Sequence, residues 1–124
     1  MKASINVLGQ PLQSCSHSPL TGWFRDGCCN TDKSDRGSHT VCALVTEDFL
    51  LYLRHQGNDL ITPRHEHGFP GLKPGDQWCV CAASWARAHE AGVACPVKLE
   101  STHADALEFV SLKALLEYAI SPEA

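Results

Sequence analysis

The sequence predicts a small α+β fold, and three observations carry that prediction. Apolar, β-branched segments suited to strands alternate only loosely with segments of helical period, which fits α+β better than a regular βαβ array. Chain breakers concentrate in residues 1–38 and 58–76, so short elements are separated by long ordered loops. A length of 124 residues is that of one domain. We therefore expect residues 1–124 to form a single unit, with a mixed or antiparallel sheet and about three to four short helices.

The elements follow in order. Gly9, Pro11, Ser14, Ser16, Ser18, Pro19, Gly22, Gly27 and Gly37 punctuate the first 38 residues. That stretch reads as extended backbone and turns, with Cys15 and Cys28–Cys29 embedded in it. His39 to Val45 is apolar and β-branched without alternation, as in a strand covered on both faces. Thr46 suits an N-cap, and Glu47 and Asp48 complement the dipole of a helix that buries Phe49, Leu50 and Leu53 and stops at Gly57.

Pro63, Pro70 and Pro74 with Gly68, Gly71 and Gly75 then make the longest irregular stretch, a kind of loop that often carries function. Lys73-Pro-Gly-Asp76 has the turn chemistry that feeds a strand. The strand spans Gln77 to Ala82, with Trp78 and Val80 on one face and Cys79 and Cys81 on the other. Ser84 to Ala91 reads as a helix closed by Gly92, followed by a strand at Val97–Glu100. Two short helices finish the chain, one after Thr102 and one capped by Ser111 and running to about Ala119.

Composition excludes several classes of function. Hydrophobic residues at 44% and charged residues at 19% describe an ordinary soluble globule whose core can hold the fold unaided. The net charge of −4 comes without a basic stripe, which argues against nucleic acid or an anionic membrane as partner. No apolar run approaches the ~20 residues of a spanning helix. The amino end carries one lysine and reaches Gly9 and Pro11 at once, unlike a secretory signal. A cytoplasmic location with reduced thiols is therefore expected, and the seven cysteines are expected to serve metal, redox chemistry or packing.

Asn6-Val-Leu-Gly9, Thr21-Gly22, Phe24-Arg-Asp-Gly-Cys-Cys29 and His39-Thr-Val-Cys-Ala43 form a set of distinctive motifs. Gly57-Asn-Asp-Leu60, Phe69-Pro-Gly-Leu-Lys-Pro-Gly-Asp76, Trp78-Cys79, Cys81-Ala82 and Thr102-His103 extend it. Together they resemble DUF 2237, a small bacterial family of unknown function, over nearly the whole chain. The resemblance implies membership and no activity. Cys15, Cys28, Cys29, Cys42, Cys79, Cys81, His39, Arg25, Asp26, Asn58, Asp59 and Arg64 match the family pattern; Cys95 and His65 do not.

The cysteines admit three chemistries. A zinc or iron site needs about four Cys or His ligands, and the available pieces are Cys28–Cys29, His39-x-x-Cys42 and Cys79-x-Cys81. None has the spacing of a standard zinc module. A redox site uses Cys28–Cys29 as a dithiol, or pairs one of them with Cys42, Cys79 or Cys81, with Arg25 lowering the pKa of a thiol that it faces. The third reading is packing, since a free cysteine behaves as a small buried hydrophobe. Cys28 and Cys29, in a turn, fit packing least.

A polar set accompanies them. Arg25, Asp26, Asn58, Asp59, Arg64 and Glu66 fall in irregular segments, where binding groups concentrate. Asp26 or Asp59 can serve as a general base, and Arg25 and Arg64 can grip a carboxylate or phosphate; the alternative is that they cap and pair within turns. His65-Glu-His67 is a chelating triplet or a solvated loop, and the mismatch at His65 favours the loop. His39 is a ligand, a hydrogen-bonded strand-entry residue or exposed, the last two together outweighing the first, and Trp23, Trp78 and Trp85 read as packing. No nucleophile elbow supports a Ser–His–Asp triad.

The expected site lies where the Arg25–Cys29 loop, the Asn58–Arg64 loop and the Cys79–Cys81 strand meet. Its ligand-binding candidates are Arg25, Asp26, Asn58, Asp59 and Arg64. Its metal-binding or reactive-thiol candidates are Cys28, Cys29, Cys79 and Cys81, with Cys15, His39 and Cys42 behind them. The leading function is a thiol-rich domain that binds a small ligand or a metal. The alternatives are a small cysteine-dependent enzyme using Asp26 or Asp59 as base, and an interaction module with purely structural cysteines.

Overall fold

The computed structural model describes residues 4–120. Two strands, β1 (Val41–Leu44) and β2 (Gln77–Val80), form an antiparallel pair in which Cys42 faces Cys79 and Ala43 faces Trp78. Three helices surround the pair: α1 (Glu47–His55), α2 (Ala82–Glu90) and α3 (Leu112–Glu117). Short 3-10 turns lie at His65–His67, Leu99–Ser101 and Ala104–Glu108. The architecture is α+β, as expected. None of these helices is long and apolar enough to cross a membrane.

Strand alternation decides which residues meet. Val41, Ala43, Trp78 and Val80 turn toward the main core, where Phe49, Leu50, Leu53, Trp85, Val97 and Leu115 pack against them. Cys42 and Cys79 turn to the opposite face, where Cys15 and Cys29 cover them in a second, smaller cluster. The sheet is thus buried on both sides by unlike material. At about 25 cal/mol per Å² of apolar surface, the larger cluster supplies most of the driving force for folding.

Helix boundaries follow their caps. The Thr46 hydroxyl accepts the Phe49 N–H (3.3 Å), Glu47 and Asp48 occupy the first turn, and Arg54 and His55 the last. Gly57, at φ 93°, ends the run, and the Asn58 N–H returns to the Leu53 carbonyl (2.8 Å). Ser111 caps α3 through the Ala114 N–H, as expected.

Four boundaries differ from expectation. The first strand begins at Val41 rather than His39, because Ser38 takes a left-handed φ of 51° and its carbonyl accepts the Thr40 N–H. The second ends at Val80, and α2 begins at Ala82 instead of Ser84. Ala82 N–H is drawn to the Ser38 carbonyl, and Trp85 N–H closes the first turn on Cys81. The strand expected at Val97–Glu100 shrinks to single bridges at Val97, with Ala43 on one side and Ala119 on the other. The chain then curls at Leu99–Ser101, where the Ser101 hydroxyl donates to Ser14 and the Thr102 hydroxyl to Lys98. Local side-chain bonds of this kind compete with a ladder.

Candidate functional site

The cysteines fall into two groups that sequence spacing did not separate. Cys15 is bonded to Cys42 and Cys29 to Cys79, with Cα separations of 5.7 and 5.3 Å. The sulfurs of Cys15, Cys29 and Cys79 lie within 4.8 Å of one another. This corrects the expectation of reduced thiols. Strand register sets Cys42 beside Cys79, and the Cys15 and Ser16 N–H groups both bind the Gly27 carbonyl, which lays the amino-terminal loop across them. Those contacts are long-range, so no local spacing announces them. Cys29 and Cys79 are therefore not free thiols, and a metal could claim these four sulfurs only after reduction.

Cys28, Cys81 and Cys95 are free. Cys95 is fully buried behind Trp85, and burial pushes its thiol up to about 12. Burial, and then the Asp26 charge, also raise the Cys28 thiol above its ordinary value. This reverses the expected lowering by Arg25, whose guanidinium points elsewhere. The Asp26 carboxylate accepts the Cys28 N–H (3.0 Å) and the Asn30 side-chain amide (3.3 Å), as a turn-former does. Cys28 thus stays outside the bonded cluster that its neighbour enters.

Arg25, Asn58, Asp59, Arg64, Cys79 and Cys81 do converge. With His39, His67, Trp23, Trp78 and Phe69 they line a cavity of about 370 Å³ on the flank of β2. Asp26, Cys28 and Cys29 do not line it. Arg25 sits at a left-handed φ of 55°, a backbone state that costs a non-glycine residue about 1–2 kcal/mol. Its Nη1 donates to the Gly22 carbonyl (3.1 Å), and its guanidinium lies 5.2 Å from the Trp78 ring centroid, a cation–π contact. Gly22 itself, at φ 108°, leaves no room for a Cβ, which would strike the Cys28 carbonyl.

Asp59 is not poised as a base. Its Oδ1 accepts the Ile61 and Thr62 N–H groups (2.9 and 3.1 Å), and bonds to Thr62 and Ile61 hold its carboxyl below the usual range. Arg64 pairs through its backbone with Phe69, closing the turn that carries His65–His67. His65, Glu66 and His67 are all exposed, and among the described residues their ligand atoms do not gather as a metal site would need; of the three, His67 lines the cavity.

His39 is held in the cavity wall by a buried carboxylate. Its Nδ1 lies 2.6 Å from Asp35 Oδ1, and its backbone N–H donates to Asp35 Oδ2 (2.8 Å). Thr31 donates a third bond to the same carboxylate (3.0 Å). The Asp35 side chain has no exposed surface. Burial alone would raise its pKa, but the bonds from the His39 ring and backbone, the nearby imidazole and the Thr31 hydroxyl outweigh it and hold the carboxyl below its ordinary value. Trp23 stacks on the His39 ring at 5.6 Å and 17°. Sequence reasoning missed Asp35, although the Asp35-x-x-x-His39 spacing around Gly37 was the available signal.

Cys81 stands at the N-cap of α2 without a side-chain capping bond, half-buried at the cavity wall. Gly37 relates it to His39: a Cβ on Gly37 would sit 3.1 Å from His39 Cε1 and 3.4 Å from Cys81 Sγ. Imidazole and thiol thus flank one small gap.

The family model described as an uncharacterized protein conserved in bacteria, DUF2237, matches residues 5–119. No curated protein matches the chain. The match takes in the sulfur cluster, the His39–Asp35 pair and every residue that lines the cavity, and on that span this chain belongs to the DUF2237 family of bacteria.

Proposed function

We propose that this protein binds a small anionic ligand with a flat apolar body in the cavity beside β2. The observation that carries the reading is the lining: Arg25, Arg64, His39 and His67 against Trp23, Trp78 and Phe69. The one carboxylate in that lining, Asp59, is engaged by its own turn. Arg25 is held by Gly22 and Trp78, so part of its fork is fixed in place for a carboxylate or phosphate. A volume of about 370 Å³ falls in the range of small-molecule sites. A metal reading draws less support, because the sulfurs that lie close together are bonded to one another.

Fluorescence of Trp23 and Trp78 supplies the test. Aryl carboxylates and aryl phosphates from benzoate upward are titrated against their uncharged amides and alcohols. Saturable quenching by the anions alone is expected, weakened by about tenfold or more in Arg25→Ala and in Arg64→Ala. Equal response to anion and amide, or no response to any anion, defeats the reading.

A further inference from the structure

We propose that Cys81 and His39 form a nucleophile–base pair, positioned by Asp35, that cleaves small anionic esters or thioesters by acyl transfer. The inference rests on the anion-site reading for its substrate class and on separate geometry for its chemistry. A buried carboxylate that accepts Nδ1–H fixes the imidazole tautomer and leaves Nε2 as an acceptor. Stacking of Trp23 further restricts the ring. Cys81 Sγ and the Cε1 edge of the His39 ring flank the same point beside Gly37. No hydrogen bond joins Cys81 to His39 among the described residues; such bonds are often long until substrate closes a site.

Two further features suit the chemistry. Cys81 begins a nine-residue helix, whose first-turn N–H groups are natural donors to a developing oxyanion. Ala82 and Trp85 N–H groups are spoken for by the Ser38 and Cys81 carbonyls, whereas those of Ala83 and Ser84 have no partner among the described residues. Ser38, immediately before His39, holds a left-handed φ of 51°, and Arg25 one of 55°, so two non-glycine residues at or next to cavity-lining positions are strained.

The step balances as follows. His39 Nε2 takes the Cys81 proton as Sγ bonds to the acyl carbon. The acyl–oxygen or acyl–sulfur bond breaks, and the leaving group departs with that proton. Water, deprotonated by His39, then attacks the acyl-cysteine, releasing a carboxylic acid and restoring the thiol. Arg25 and Arg64 hold the substrate's anionic end throughout.

Alkylation separates this inference from the reading beneath it. The protein is treated with iodoacetamide or iodoacetate, and labelling of Cys81 and Cys28 is followed by peptide mass spectrometry. With the uncharged reagent, Cys81 is expected to react at least about tenfold faster than Cys28, and His39→Gln to remove that advantage with the circular dichroism unchanged. Equal iodoacetamide rates at Cys81 in the parent and in His39→Gln overturn the pair, whatever iodoacetate does. Preference for iodoacetate, lost in Arg25→Ala, reports the anion site alone; its absence overturns the substrate class but not the pair.

Mono-4-nitrophenyl glutarate is expected to leave a transient acyl adduct on Cys81, absent in Cys81→Ala and unaffected by Cys28→Ser. No adduct in the parent protein overturns acyl transfer. Asp35 touches no substrate, so its test is the pH profile of Cys81 alkylation. Asp35→Asn should displace that profile and Asp35→Glu largely restore it, with Cys81, Arg25, Arg64, His67 and Asp59 as the other charged groups around the cavity. An unchanged profile in Asp35→Asn overturns its positioning role.

Discussion

Asp35 shows how much one buried carboxylate can organise. It gathers three donors from Thr31 and His39, fixes an imidazole and closes the turn that leads into β1. Its folded pKa lies below the unfolded value, so its contribution to stability is present above about pH 4 and is lost as pH falls through the folded pKa. Asp35→Asn should lower the urea-unfolding free energy at pH 7 by about 1–3 kcal/mol, because a strong bond to His39 is replaced by a weaker one. The variant should also lose less stability than the parent between pH 4 and pH 2. Parallel acid limbs in the two proteins would show that Asp35 is not ionised in the fold.

At the scale of elements, the two well-formed helices begin differently. α1 has Thr46 at its N-cap with the hydroxyl bonded in place, whereas α2 has Cys81, whose thiol makes no capping bond. Serine is a far better N-cap than cysteine, since its oxygen accepts the orphan first-turn N–H. Cys81→Ser should therefore leave stability unchanged or raise it by up to about 1 kcal/mol, read from thermal or urea unfolding. The same variant should lose rapid alkylation at position 81. A clear fall in stability would mean that the thiol is a packing element.

At the scale of the molecule, the two disulfides tie the amino-terminal loop to the sheet over sequence separations of 27 and 50 residues. By loop-closure entropy, such crosslinks stabilise by about 3.5 and about 4 kcal/mol. The loop they anchor carries Trp23 and Arg25 to the cavity, so reduction should weaken both fold and site. Unfolding with and without a phosphine reductant, and in Cys15→Ala/Cys42→Ala and Cys29→Ala/Cys79→Ala, tests this. A midpoint indifferent to reductant would show that the bonds contribute little, and would return the cysteines to the packing role.

Much was legible locally. The sequence alone determined the α+β class, the Thr46 and Ser111 caps, the stops at Gly57 and Gly92, and the alternation that sends Trp78 and Val80 one way and Cys79 the other. These are short-range matters of propensity, capping and period. Of the residues expected to share one site, Arg25, Asn58, Asp59, Arg64, Cys79 and Cys81 line the cavity, whereas Asp26, Cys28 and Cys29 do not. Tertiary structure alone decided the partners: Cys15 with Cys42, Cys29 with Cys79, and His39 across a glycine from Cys81. The disulfide partners lie 27 and 50 residues apart, and His39 is as remote in sequence from Cys81. Such neighbours meet only once β1 and β2 have set their register, and no local pattern encodes that pairing.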